Sequence, residues 1–128
     1  MNTQIKTIED AFIAKGLDVN ALPDVSALPE ELRDYVIAQY QLAVVVSAVN
    51  EDWKPDWSNN SQRKYFPWFS VNANSEKPSG FGLSYCVCDC WNTAAGVGSR
   101  LCFPSMEHAK YAANTFTDLY ERCYLISK

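Results

Sequence analysis

Two stretches in the first half of the chain place apolar residues at the spacing that predicts helices. The first predicts a short helix over residues 8–15, because Thr7 is a good N-cap, Asp10 stands at the third helical position and Gly16 permits a left-handed exit. The second predicts a long helix that begins at residue 30, after Pro29, and ends between residues 50 and 53. Residues 42–49 are apolar on every side of that helix, which predicts burial on more than one face.

Residues 18–29, between these helices, predict an extended connector. Residues 18–23 and 24–29 are near-repeats that each begin with Asp-Val and end with Ala-Leu-Pro. Two copies are too few for a solenoid, which needs at least three stacked units. Each proline biases the leucine before it away from helix, so Leu22 and Leu28 are expected to anchor an extended chain.

Residues 64–103 predict a three-stranded antiparallel meander with strands over residues 64–71, 81–89 and 97–103. In the middle strand, alternation with small residues predicts one core-facing side. It carries Phe81, Leu83, Tyr85 and Val87. Pro67 has no N–H to donate to a ladder, which predicts an edge or a bulge in the first strand.

Ser105 predicts the N-cap of a last helix over residues 105–125, whose apolar stripe is expected to pack across the face that carries Phe81. The stripe consists of Ala109, Ala112, Ala113, Phe116, Leu119, Tyr120 and Cys123. Trp68 and Trp91 are expected at the margins of this contact. The predicted fold class is α+β, a small three-stranded antiparallel meander with a long N-terminal helix and a C-terminal helix packed on one face.

The length predicts one domain over residues 1–128, with a helical part at 7–53, the sheet at 64–103 and the last helix at 105–125. A formal charge of -4 and a pI near 4.9 give no overall attraction to phosphate backbones or anionic membranes. The longest apolar run is far shorter than the roughly 20 residues that span a bilayer, and the start has no apolar secretion signal. We therefore expect a soluble, cytoplasmic protein.

The five cysteines cannot all pair within one chain, which predicts free thiols in a reducing compartment. Cys86, Cys88 and Cys90 resemble metal ligands, with Cys102 and His108 as further candidates. On a strand, however, such sulfurs lie in a row about 6.5 to 7 Å apart and do not converge as zinc ligands do. A reactive thiolate would need a nearby cation, and His108 is the one candidate for that cation. We predict no metal, no cofactor, no catalytic residue and hence no enzyme.

A polar loop at residues 52–61 carries Trp53 and Trp57, whose flat rings could stack on a partner, a sugar or an unpaired base. Packing of both indoles as a lid on the end of the core is the favoured interpretation, because tryptophan is usually largely buried. The candidate binding residues are these two tryptophans together with Arg63, Lys64 and Arg100.

The leading hypothesis is a non-enzymatic interaction module that binds a protein partner through an aromatic surface, because no acid, base or nucleophile constellation is apparent. The alternative is an accessory protein that binds single-stranded nucleic acid. In that case aromatic rings would stack on bases, and four basic residues would contact phosphates. They are Arg63, Lys64, Lys77 and Arg100.

Five short segments share an order and spacing with a known family. They are Trp-Lys-Pro-Asp-Trp at 53–57, Lys-Tyr-Phe-Pro-Trp-Phe at 64–69, Ser-Gly-Phe-Gly at 79–82, Val-Gly-Ser-Arg-Leu-Cys-Phe at 97–103 and Phe-Thr-Asp-Leu-Tyr at 116–120. The chain thereby resembles small proteins encoded by tailed phages and prophages of gut Bacteroidales. The resemblance implies a phage or mobile-element origin, a place in the cytoplasm of the bacterial host or in the virion, and a phage or host protein as partner. It brings no catalytic residues.

Overall fold

The computed structural model describes residues 1–59, 61–72, 76–77, 79–89 and 99–126, with the backbone alone for residues 84–89 and 99. Four α-helices lie within these ranges. They are α1 (Ile8–Ala14), α2 (Glu30–Val49), α3 (Met106–Thr115) and α4 (Thr117–Tyr124). Two antiparallel strands, β1 (Lys64–Ser70) and β2 (Gly82–Asp89), form a sheet, and a single 3-10 turn spans Ser99–Leu101. The protein therefore has the predicted α+β class.

Helix α1 begins as predicted. The Thr7 hydroxyl accepts the Asp10 N–H at 3.0 Å, and the Asp10 carboxylate accepts the Thr7 N–H at 3.1 Å, which satisfies two backbone donors at the helix start. Gly16 has a φ of 68° and turns the chain away after the helix. Phe12 is fully buried and meets the Tyr40 ring of α2 edge-on, with ring centroids 5.6 Å apart. This contact packs α1 against α2.

The two near-repeats of the connector adopt the same local turn. The Asp18 carboxylate accepts the Asn20 N–H at 2.9 Å, and the Asp24 carboxylate accepts the Ser26 N–H at 3.0 Å. The prediction that Leu22 anchors the connector is wrong, because its side chain is 38% exposed. Val19, in the first turn, packs against the core instead.

Helix α2 ends at Val49, where the chain changes direction through Glu51 and Asp52, which have φ values of 52° and 67°. Its second half is buried on several sides, as its continuous apolar sequence predicts. The buried residues there are Leu42, Val44, Val45, Val46, Ala48 and Val49. At its other end, Asp34 accepts two hydrogen bonds from Arg122 of α4, at 2.8 and 3.2 Å. Arg122 thereby lowers the pKa of the Asp34 carboxyl.

The predicted third strand is wrong over Ser99–Leu101, which forms a 3-10 turn. Phe103 makes a single antiparallel bridge, and its partner is Tyr65 of β1, with both N–H to O distances 2.9 Å. In an antiparallel ladder the next bonded pair would join Pro67 to Leu101, and Pro67 has no N–H to donate. The bridge therefore does not extend along β1. An irregular register between Trp68 and Phe69 of β1 agrees with the predicted edge or bulge near Pro67.

The predicted single helix over residues 105–125 is wrong, because the helix is interrupted at Phe116, between α3 and α4. The Thr117 hydroxyl donates to the Ala113 carbonyl at 2.7 Å. In a continuous helix that carbonyl would accept the Thr117 backbone N–H. The N-cap of α3 is as predicted, since Ser105 accepts the His108 N–H at 3.2 Å.

The break lets two helix faces cover the sheet. Ala109, Ala112 and Ala113 of α3 are buried where α3 contacts both strands. Aromatic rings join α4 to the sheet: the Phe69 ring stacks on Phe81 at 4.7 Å between centroids and lies 4.8 Å from the Tyr120 ring. The stripe therefore packs against the sheet in two segments, and Tyr120 of α4 is joined to Phe81 through the ring of Phe69. The side chains of Tyr85 and Val87 and all of Trp91 lie outside the described residues, and Trp68 is 55% exposed.

Replacement of Phe116 by Ala should lower the free energy of unfolding by about 3 to 5 kcal/mol, because the ring is buried at the junction of α3 and α4. Replacement of Trp57 by Ala should cost less, since that side chain is only half-buried. Urea denaturation of both variants measures the two costs. Equal losses of unfolding free energy would mean that the Trp57 ring contributes as much to stability as the Phe116 ring.

Candidate functional site

A cavity of about 550 Å³ lies between the second half of α2, the loop that follows it and residues 100–102. The loop contributes Trp53, Lys54 and Trp57 to its wall, Asn50 comes from the end of α2, and Arg100 comes from the 3-10 turn. Three of the five predicted binding residues, Trp53, Trp57 and Arg100, are therefore brought together here. Arg63 is exposed, and Lys64 is fully buried; neither lines the cavity.

Backbone contacts at the end of α2 position Trp53. The Asp52 N–H donates to the Ser47 carbonyl at 3.2 Å, and the Trp53 N–H donates to the Asn50 carbonyl at 3.0 Å. The Asp52 carboxylate pairs with the Lys15 ammonium at the end of α1. That contact lowers the pKa of Asp52 and holds the loop against α1. These contacts hold the backbone at Trp53 against the ends of α1 and α2.

Three hydrogen bonds of Asp56 close the loop around Trp57. Its carboxylate accepts the Ser58 hydroxyl at 2.6 Å and the Ser58 N–H at 3.0 Å, which lowers the pKa of Asp56. Its backbone N–H donates to the Gln62 side-chain carbonyl at 2.6 Å. Asp56 and Gln62 are therefore joined across the turn, and Trp57 follows Asp56 directly.

Lys64 supports the Trp57 ring from within the protein. It is fully buried; its ammonium donates to the Gln62 carbonyl at 3.1 Å and lies 5.0 Å from the centroid of the Trp57 ring. A cation at this distance from an indole is attracted to the ring face. The prediction that Lys64 contacts phosphate is wrong, because a fully buried ammonium cannot reach a polyanion. Lys77 is also engaged, by Asp118 and by Glu121 at 3.1 Å.

Asn50 is a polar residue of this site that the sequence did not single out. Its side chain is buried, with 6% exposure, and its amide donates to the Cys102 carbonyl at 2.9 Å. Its Oδ1 has no hydrogen-bond donor within the described residues. An unsatisfied buried acceptor costs about 1 to 3 kcal/mol, so such atoms are rare. The sequence signal that could have identified Asn50 is its position directly after the apolar run of α2, where a polar side chain is close to the core.

The edge of the cavity carries positive charge, although the chain as a whole is negative. Lys54 and Arg100 are exposed members of the lining. Asp52 also lines the cavity, but it is paired with Lys15, so its negative charge is offset. A formal charge of -4 over the whole chain therefore coexists with a locally cationic cavity edge.

Other candidate chemistry has structural explanations where its side chains are described. The Ser105 hydroxyl lies 2.6 Å from Nδ1 of His108 while it caps α3, and burial lowers the pKa of His108. Burial also raises the pKa of the Cys123 thiol to about 11, which leaves it protonated at neutral pH. The side chains of Cys86, Cys88 and Cys90 lie outside the described residues. Among the others, no three His, Cys, Asp or Glu side chains converge as a metal site would require.

Comparisons of the chain with models of known protein families, with curated proteins and with solved structures found no match. The resemblance to phage-encoded proteins therefore stays a prediction. Within the described ranges, no helix combines the length and the apolar character needed to cross a membrane.

Replacement of Lys64 by Ala should lower the free energy of unfolding by at least about 2 kcal/mol, because it removes a buried aliphatic stem and the cation beside Trp57. Lys54→Ala removes the same chemical group from an exposed position in the same region and should change stability by less than about 0.5 kcal/mol. Denaturant unfolding followed by tryptophan fluorescence measures both values. Similar small losses for the two variants would contradict the buried supporting role of Lys64.

Proposed function

We propose that this protein is a non-enzymatic binding module that takes a protein partner at the cavity lined by Trp53 and Trp57. One observation carries the proposal: both indoles line a single cavity of about 550 Å³ together with Arg100, which comes from a segment distant in sequence. Ligand sites commonly occupy about 300 to 1,000 Å³ and combine apolar walls with a few polar groups. Tryptophan and arginine are also the residue types that contribute most often to the energetic centres of protein interfaces.

Acid–base groups around this cavity have structural roles, which supports a binding function over a catalytic one. Asp52 pairs with Lys15, and Asp56 caps the turn at Ser58. Both contacts lower the pKa of the carboxyl, whereas a general base acting near neutral pH would need a raised one.

Protein is the favoured partner because two of the four basic residues of the nucleic-acid hypothesis are engaged. Lys64 is fully buried, and Lys77 pairs with the carboxylates of Asp118 and Glu121. Phosphate contacts from no more than the two remaining residues of that set would release few counterions from a nucleic acid backbone. The juxtaposition of Arg100 with two indoles is the observation that keeps single-stranded nucleic acid as the second candidate.

The resemblance to phage-encoded proteins gives this proposal its biological setting. A module of phage or mobile-element origin would meet its partner, a phage or host protein, in the cytoplasm of the infected bacterium or in the virion. The partner's surface would be expected to offer an apolar group to the tryptophans and negative charge to Arg100.

Selection of binding peptides from a displayed random library tests the proposed site. Enriched peptides should lose at least tenfold in affinity when Trp57 is replaced by Ala, because the ring forms part of the cavity wall. Trp68→Ala is the matched control, since Trp68 is exposed and does not line the cavity. Peptides that bind the Trp57→Ala variant as well as the natural protein would refute the proposed site, provided that circular dichroism shows both variants folded.

Long single-stranded DNA and RNA should bind only weakly at physiological salt, because the chain is net acidic and its basic residues are scattered. Fluorescence anisotropy of labelled oligonucleotides measures this affinity across a salt series. A sub-micromolar dissociation constant that rises steeply with salt would make nucleic acid the better candidate.

A further inference from the structure

An acidic segment with exposed apolar side chains covers residues 17–35, from the connector into the first turns of α2. It contains five carboxylates and one guanidinium, so its net charge is -4. Because the formal charge of the whole chain is also -4, the remaining residues together are neutral. Four large apolar side chains of the segment are 38 to 46% exposed. They are Leu17, Leu22, Leu32 and Tyr35. Exposed apolar groups bordered by charge are typical of an interaction surface.

The start of α2 presents two of these apolar side chains together. Leu32 and Tyr35 are three positions apart, so they lie on the same face of the helix. Glu30 and Glu31 are exposed in the turn that precedes them. A helix that offers apolar side chains at this spacing is a common docking element in protein recognition.

Two arginines hold the start of α2 in place and leave that face exposed. Arg33 donates to the Leu28 carbonyl at 2.9 Å and to the Ser26 carbonyl at 3.4 Å, which ties the connector to the helix. Arg122 of α4 pairs with Asp34 at 2.8 Å. The helix start is therefore ordered before any partner binds, which lowers the entropic cost of docking.

The tryptophan cavity has the properties that this helix face requires of a binding site. Its walls include Trp53 and Trp57, against which apolar and aromatic side chains pack well. Lys54 and Arg100 are exposed at its edge and would attract the glutamates of the helix start. Two acidic segments would instead repel each other, since each carries a net charge of -4. The acidic segment is therefore complementary to the cavity and not to itself.

The acidic segment and the cavity lie at opposite ends of α2. Leu32 and Asn50 are 18 residues apart, which corresponds to about 27 Å of helix. A continuous helix cannot bring its own start to its end, so a contact between the two surfaces requires two molecules. Each molecule then uses a different surface from its neighbour, which makes the association heterologous.

We infer that the cavity binds a second copy of this chain, which docks the start of its own α2. Leu32 and Tyr35 of the incoming copy pack against the two tryptophans, and the glutamates that precede them lie beside Lys54 and Arg100. Copies thereby associate head to tail, as a ring if the rotation between neighbours closes and as an open chain if it does not. The inference rests on the proposed binding function and names the partner of that site.

Sedimentation velocity of the natural protein, measured across a concentration series and a salt series, gives the first test. The weight-average mass should rise with protein concentration and fall with added salt, because salt screens the attraction between the acidic segment and the cavity edge. A mass that stays at that of the monomer up to millimolar protein would overturn the inference. Association that does not weaken with salt would overturn it as well.

Two variants, each with one altered surface, identify the contact. Arg100→Glu reverses a charge at the cavity and leaves the acidic segment intact, whereas combined Leu32→Gln and Tyr35→Gln leaves the cavity intact. All three positions are exposed, and circular dichroism verifies the folds. Each variant alone should associate at least about tenfold more weakly than the natural protein. Their equimolar mixture should form a 1:1 dimer, because one intact segment meets one intact cavity.

Matched controls separate this contact from general effects of charge and hydrophobicity. Lys110→Glu reverses an exposed charge on α3, and Ile13→Gln removes a 68% exposed apolar side chain from α1. Both should associate as the natural protein does. Equal weakening by the controls, or a mixture of the two test variants that forms no 1:1 dimer, would overturn the inference.

The outcomes distinguish this inference from the broader function. If the protein does not self-associate but library peptides still depend on Trp57, the binding module stands and its partner is a different protein. If neither self-association nor a peptide dependent on Trp57 is found, both proposals are refuted.

Discussion

Burial of the second half of α2 is the constraint on which the rest of this structure depends. Leu42, Val45 and Val49 are fully buried, and α2 contacts α1, α3 and α4. The three surrounding helices have 7, 10 and 8 residues, and isolated helices shorter than about 12 to 15 residues are marginal in water. A two-stranded sheet is equally marginal by itself, and here it is covered by α3 and by the rings of α4. The three short helices therefore depend on packing against the same apolar helix, and the sheet depends on the helices α3 and α4 that cover it.

The candidate site follows from where that helix ends. Val49 is the last residue of α2 and is fully buried. Asn50 follows it directly, and its buried side chain belongs to the residues that line the cavity. The left-handed conformations of Glu51 and Asp52 then turn the chain sharply, and Lys15 holds the turn through Asp52. The tryptophan loop is thus attached to the buried end of α2, and a site built on a regular element is held in a defined geometry.

Local chemistry accounts for what the sequence by itself determined. The capping box of Thr7 and Asp10, the left-handed Gly16 and the Ser105 cap each depend on residues within a few positions of one another. The continuous apolar run of α2 and the alternation along β2 likewise depend on spacing alone, so the α+β class and most element boundaries could be predicted. The two tryptophans and Arg100 could be selected as candidates because their residue types are typical of binding surfaces.

Contacts between distant segments decided the rest. Pro67 ends the pairing with the segment of Phe103 only because that segment lies beside β1, and no local pattern specifies this neighbour. Lys64 is buried because the Trp57 ring lies beside it, although a lysine in a polar sequence context is usually exposed. The cavity exists because Arg100 and Cys102 lie against the end of α2, and the unsatisfied oxygen of Asn50 arises in the same place. Spacing along the chain determines helices and strands, whereas burial, pairing and the convergence of side chains depend on which segments the folded core brings together.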